Sequence, residues 1–191
     1  MNKTRQNIAL ISVAVLMIVA IFTGLVKPYL KNQGEKPITQ GSQSTSGGDD
    51  AVAVTNFKFT DKDDNTINFD DLKGKPIVIN FWATWCGFCV KEMPDFNKLA
   101  KEYSGDVNFI ILDVVDGKRE TKEKGLAFLQ DNKYDDITPY FDSFGEGCSL
   151  FGISSFPTTV YIDKDGNLYD ATIGLTSYDA AKAVIDKMLE E

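Results

Sequence analysis

Cys86 and Cys89 stand three positions apart in "FWATWCGFCVKEMP" (residues 81–94), after an apolar run and ahead of a stretch with helical spacing. Cysteines at i and i+3 of a helix start lie on one face about one turn apart, within reach of a disulfide. A strand-to-helix turn would present Cys86 at the helix N-terminus, where free backbone N–H groups and the helix dipole favour a thiolate. Cys86 is therefore the predicted nucleophile. Cys89, one turn further in, is predicted to be more buried and less acidic, which suits a thiol that resolves a mixed disulfide.

Two other uses of the pair fit less well. Tetrahedral zinc asks for four Cys or His ligands, and the chain has three cysteines and no histidine. A purely structural disulfide across two intervening residues constrains little of the unfolded chain. No metal or cofactor is expected. Glu92, three residues after Cys89, shares its helical face. By itself it reads either as a solvated first-turn glutamate favoured by the helix dipole or as a buried acid whose raised pKa suits proton transfer. Cys148 is read as a small, inert hydrophobe, with a regulatory or intermolecular thiol as the alternative.

The elements that must hold these residues follow from hydrophobic period. "NFKFTDKDDNTINFDDLKGK" (56–75) alternates about an Asp/Asn-rich turn and reads as a hairpin. "PIVINFWA" (76–83) and "VNFIILDVV" (107–115) are apolar almost throughout, as central strands are, and between them residues 89–103 carry apolar side chains at a helical period. Strand, helix, strand with two buried parallel strands is a right-handed crossover, so an α/β layered sheet is expected. Residues 118–134 read as a second helix, "PYFD" as a short strand and "CSLFGI" as a helical turn. "TTVYID", the turn "KDGN" and "LYDATIG" read as a hairpin, followed by a helix that Ser177 can cap. Phe57, Phe69, Phe81, Phe96, Phe109, Phe128 and Tyr161 fall at core positions.

At these residues the chain resembles a known family. "KGKPIVINFWATWCGFCVKEMPDF" is similar to the active-site region of thioredoxin-like proteins, and the spacing W-C-x-x-C-x-x-E-x-P resembles the membrane-anchored extracytoplasmic branch typified by TlpA and ResA. A second block, "FGISSFPTTVYIDKDG" (151–166), matches in the right order. The resemblance covers residues 56–191 and implies a thioredoxin-like three-layer α/β/α sandwich with an N-terminal β-hairpin and a central insertion at about 116–147. It further implies that Pro157 is a cis-proline beside the cysteines, that the Phe156 backbone pairs with an extended segment of a partner, that Trp85 contributes contact surface, and that Glu92 moves protons for the cysteines. Asn80 stands where thioredoxins proper carry a buried Asp, which makes Glu92 the expected substitute. Pro94, inside the helix, is expected to kink it.

The rest of the chain concerns location. Residues 1–7 carry Lys3 and Arg5, and residues 8–26 carry no charge, a length that spans a bilayer. The segment lacks a small-x-small cleavage site, so an uncleaved signal anchor is expected, with residues 1–7 cytoplasmic. Residues 27–50, rich in Gly, Ser and Gln, read as a flexible linker to a domain at 51–191. The first 50 residues hold five Lys plus Arg and three Asp plus Glu, so residues 51–191 carry 15 against 25, a formal charge of −10 without a basic cluster. Nucleic acid is excluded as a partner of such a domain.

The expected function is extracytoplasmic thiol–disulfide exchange on exported proteins at the cell membrane. The resemblance implies a reducing direction, with electrons from a membrane thiol carrier. A disulfide-donating oxidase, a peroxiredoxin-type peroxidase and a non-catalytic docking module are the alternatives. The peroxidase signature P-x-x-x-T-x-x-C is not matched by "FWATWCGFC".

Overall fold

The computed structural model describes residues 51–190. The expected anchor at 8–26, its cytoplasmic flank at 1–7 and the linker at 27–50 lie outside the described residues. Among the described residues no helix is long and apolar enough to cross a membrane.

Seven strands form one sheet: β1 (Lys58–Asp61), β2 (Thr66–Asn68), β3 (Ile77–Trp82), β4 (Asn108–Asp113), β5 (Pro139–Phe141), β6 (Thr158–Ile162) and β7 (Leu168–Ile173). Their order is β2-β1-β5-β4-β3-β6-β7. β3 runs parallel to β4 with Asn80 opposite Ile111, and antiparallel to β6 with Asn80 opposite Thr159. Every residue of β3 is buried, as a strand covered on both faces requires.

Alternation along β3 divides the core. Val78 and Trp82 face one cluster with Cys89, Met93, Phe96 and Leu99 of helix α1 (Gly87–Glu102), Leu129 of α2 (Lys122–Asp131) and Ile185 of α4 (Tyr178–Glu190). Ile77, Ile79 and Phe81 face the other, with Phe57, Phe59 and Phe69 and, packed against it, Cys148 in the short helix α3 (Glu146–Leu150). The sheet therefore lies between two helical layers, the thioredoxin-like arrangement. Of the aromatics assigned to the core, Phe57, Phe69, Phe81, Phe96 and Tyr161 are buried, while Phe109 and Phe128 pack against it partly exposed.

The two hairpins use one turn twice. In "DKDDN" the Asp61 carboxylate accepts from the amides of Asp63 and Asn65 at 2.8 and 2.9 Å and from the Asn65 side chain at 2.9 Å. In "DKDGN" Asp163 accepts from Asp165, Asn167 and the Asn167 side chain at 2.9, 2.8 and 3.0 Å. The fourth position is left-handed in both, Asp64 at φ 64° and Gly166 at φ 88°. Asp tolerates that region and Gly adopts it freely.

Two sequence expectations are corrected. The helix expected over 118–134 spans only Lys122–Asp131, capped by Thr121, whose hydroxyl accepts from the Lys124 amide at 3.4 Å. The residues before it fold into a loop closed by Asp116, whose carboxylate accepts from the amides of Lys118 and Glu120 at 2.8 and 3.0 Å. The segment expected as a central insertion, 116–147, contributes strand β5 to the sheet between β1 and β4. Helix α1 runs unbroken through Pro94.

Gly125 is the point where α2 meets the sheet. A Cβ there would overlap Oδ2 of Asp113 and stand 3.4 Å from the Phe141 ring. Gly125→Ala is expected to destabilise the domain by about 1–3 kcal/mol, despite the better helix propensity of alanine, read as a lower denaturant midpoint at unchanged m.

Candidate active site

The site grows out of the junction between β3 and α1. After Trp82 the chain turns through Ala83–Trp85, and the Cys86 amide donates to the Ala83 carbonyl at 3.1 Å. Cys86 is the N-cap of α1, with extended φ and ψ of −85° and 103°. Its Sγ accepts from the Cys89 amide at 3.2 Å and its carbonyl from the Val90 amide at 3.0 Å. Sulfur thus occupies the place that a capping oxygen takes at other helix starts. Cys86 and Cys89 are joined in a disulfide. Both are buried, Cys86 at 6% exposure and Cys89 fully, so Cys86 is the more accessible of the two.

Glu92 lies one turn beyond Cys89 and is 1% exposed. Its Oε1 accepts from Asn80 Nδ2 at 2.8 Å and its Oε2 from the Thr176 amide at 3.0 Å. Burial pushes its pKa up to about 7, against the pull of these two donors; the charge of Asp95 adds a smaller push upward. The solvated reading of Glu92 is therefore set aside. Asn80 holds the carboxyl group and also donates to Thr159 Oγ1 at 3.1 Å. β3, β6, α1 and the loop before α4 meet at this one carboxyl.

The Phe156–Pro157 peptide bond is cis, and Pro157 is buried while Phe156 is half-buried. The Pro157 carbonyl accepts from the Gly174 amide at 2.8 Å. The Phe156 ring meets Trp85 edge-on at 5.7 Å, which brings this segment to the cysteine loop. Trp85 is 40% exposed and Phe88 62%, so an apolar rim surrounds Cys86.

Three residues that the sequence reading passed over belong here. Arg119 stacks its guanidinium on the Trp85 ring at 3.7 Å. Glu120 accepts at Oε2 from the Thr84 amide at 2.8 Å and the Thr84 hydroxyl at 2.7 Å. Thr176 supplies the second donor to Glu92. Arg119 and Glu120 sit in "KRETKEK", a charge run that looks like a solvated helix; only the turn residues Asp116 and Gly117 ahead of it hint at a loop.

Cys148 stands apart from this site. Its amide donates to Asp142 Oδ2 at 2.9 Å, and burial, with the Asp142 charge next, pushes its thiol up to about 12. Such a shift favours the protonated thiol at neutral pH.

The comparisons with known proteins agree with this geometry. The AhpC/TSA family model matches residues 51–171. The thiol-disulfide oxidoreductase ResA of Bacillus thuringiensis (strain Al Hakam) is 32% identical over 138 residues, covering 70% of this chain and 75% of its own. The exposed lipoprotein thioredoxin Etrx1 of Streptococcus pneumoniae superposes with a TM-score of 0.62 at 28% identity, over 70% of this chain and 99% of the other. A thiol-disulfide oxidoreductase structure from Bacteroides vulgatus gives a TM-score of 0.59 at 31% identity, over 71% and 94%. With a cysteine pair at the helix start, a cis-proline segment against it and these relatives, the chain belongs to the AhpC/TSA family, in its thioredoxin-like thiol-disulfide oxidoreductase branch.

Proposed function

We propose that this protein reduces disulfides in exported proteins from the outer side of the cell membrane, with Cys86 as nucleophile and Cys89 as resolving thiol. The observation that carries the reading is the disulfide at the N-terminus of α1, with Cys86 at 6% exposure the more accessible of its two residues and Cys89 fully buried, and with buried Glu92 one turn behind. In the reduced protein the Cys86 thiolate, favoured by the helix dipole, attacks a partner disulfide. A Cys86–partner S–S bond forms, and the other partner sulfur leaves as a thiolate and takes a proton. Cys89 then gives its proton to Glu92 and attacks Cys86 Sγ, which reforms the Cys86–Cys89 bond and frees the reduced partner. Trp85 and the Phe156–Pro157 segment form the docking surface. A dithiol of the membrane restores the reduced state by the reverse exchange, and residues 8–26 anchor the protein there.

The extracytoplasmic placement rests on the uncharged stretch at 8–26 and on relatives such as the pneumococcal one, named an exposed lipoprotein. Protease added to intact spheroplasts is expected to remove the domain; full protection would place it on the cytoplasmic side. The reducing direction is tested by the equilibrium potential of the Cys86–Cys89 couple in glutathione and dithiothreitol buffers, with thiol trapping. A value well below about −200 mV is expected, whereas one near about −120 mV would make the protein a disulfide donor.

A further inference from the structure

Glu92 is not the only buried carboxyl group behind the cysteine loop. Asp113, at the end of β4 and opposite Trp82 in register, is 1% exposed, and neither of its carboxylate oxygens has a hydrogen-bond partner. Glu120 is fully buried; its Oε2 holds Thr84, two residues before Cys86, and its Oε1 has no partner. Three carboxylate oxygens are thus buried without a donor. An ionised carboxylate in such a place costs far more than a protonated one.

The surroundings supply no cation to offset them. On α2, Lys122 pairs with Asp64, Lys124 bonds the carbonyls of Lys118 and Arg119, and Glu123 turns to Thr121. Beyond β5, the Asp142 carboxylate is turned to the amides of Gly147 and Cys148. On the loop, Asp116 is taken by amides and Arg119 by Trp85. Glu92, on the helical side of β3, is held by Asn80 and Thr176.

We propose that Asp113 holds a proton in the folded protein, and that Glu120 is a positioning residue that holds the Thr84 turn, and through it Cys86, in place for exchange. Burial first, and the Glu120 charge next, push Asp113 up to about 8, which is consistent with a proton held at neutral pH. The loop 116–121 grips the cysteine turn at two points: Glu120 takes Thr84 from behind, and Arg119 covers Trp85 at the rim.

The inference rests on the reading of Cys86 as the nucleophile, and its test separates the two. Infrared spectra of the full-length oxidised chain carrying Glu92→Gln are expected to retain a protonated-carboxyl C=O band at neutral pH, which a further Asp113→Asn change removes. No such band in the Glu92→Gln protein, or one that survives Asp113→Asn, would overturn the proton on Asp113. This readout needs no turnover, so its failure leaves the exchange reading standing. In the reduced chain, Glu120→Ala is expected to slow Cys86 alkylation and partner reduction about tenfold or more. Glu120→Gln, whose amide oxygen still accepts from Thr84, is expected to recover most of that loss. Equal loss in both, or none in a folded Glu120→Ala protein, would overturn the positioning role. Should Glu120→Ala fail to fold, the Glu120→Gln rate and the band decide.

Discussion

Cys86→Ser is expected to lower the rate of partner-disulfide reduction by on the order of 10³-fold or more, because the remaining thiol of the pair, Cys89, is fully buried and serine is no nucleophile at neutral pH. Cys89→Ser should act differently. The more accessible sulfur, that of Cys86, can still attack, but the second sulfur that would release it is gone, so the mixed disulfide accumulates. Non-reducing electrophoresis and mass spectrometry of Cys89→Ser expressed in its own cell type should show covalent adducts through Cys86, and these adducts identify the partners. No adducts, together with full complementation of a deletion by Cys86→Ser, would leave the fold as a docking platform without redox work. Hydrogen peroxide consumption by the purified wild-type chain would instead point to peroxidase chemistry. The cysteine at the N-cap of α1 argues for exchange, since its sulfur already receives the Cys89 amide that would stabilise a thiolate.

Glu92→Gln carries the second large effect, and it has two parts. As the base for Cys89, Glu92 must be ionised, so the resolving step in the wild type should quicken as pH rises through about 7. The variant loses that inflection and about 10²-fold in rate, measured by stopped-flow fluorescence of Trp82 and Trp85 across pH. Stability moves the other way. The folded-state pKa of about 7 lies above the ordinary 4.5, so the folded protein holds this proton more tightly than the unfolded chain. That contribution is full below about pH 4.5 and is lost as pH rises through about 7, on the order of 3 kcal/mol for one such group. Glu92→Gln mimics the protonated acid at every pH, so its unfolding free energy should fall less between those limits than that of the wild type. The share due to Asp113 stays in both proteins. Asn80 can accommodate the change: its Oδ1 lacks a partner, and a flip of its amide turns that oxygen toward the new nitrogen. A variant with the wild-type pH slopes in rate and stability would remove Glu92 from proton transfer.

Much of this site is written locally along the chain. The spacing of Cys86 and Cys89, the apolar run that becomes β3, and the helical period after it place a cysteine at a helix start with no reference to the rest of the molecule, because side-chain direction over one turn is fixed by backbone geometry. The same holds for the two D-K-D-x-N turns, each closed by its own aspartate. The order of the "SSFPTT" block after the cysteines was legible only by resemblance to a family, since nothing in the local sequence states that residue 157 approaches residue 86. Tertiary structure alone decided which acids are buried. Glu92 reads equally as a solvated residue until Thr176, 84 positions away, and Asn80 close around it. Glu120 sits in a run of charges whose pattern is that of a surface, and it is buried because Asp116 folds the chain back so that it reaches Thr84. Asp113 closes an apolar strand as many surface aspartates do, and it is buried because Gly125 lets α2 pack directly on it. A cysteine pair is a local property of the chain, whereas the burial that sets the proton affinity of a carboxyl group is the sum of contacts from distant segments.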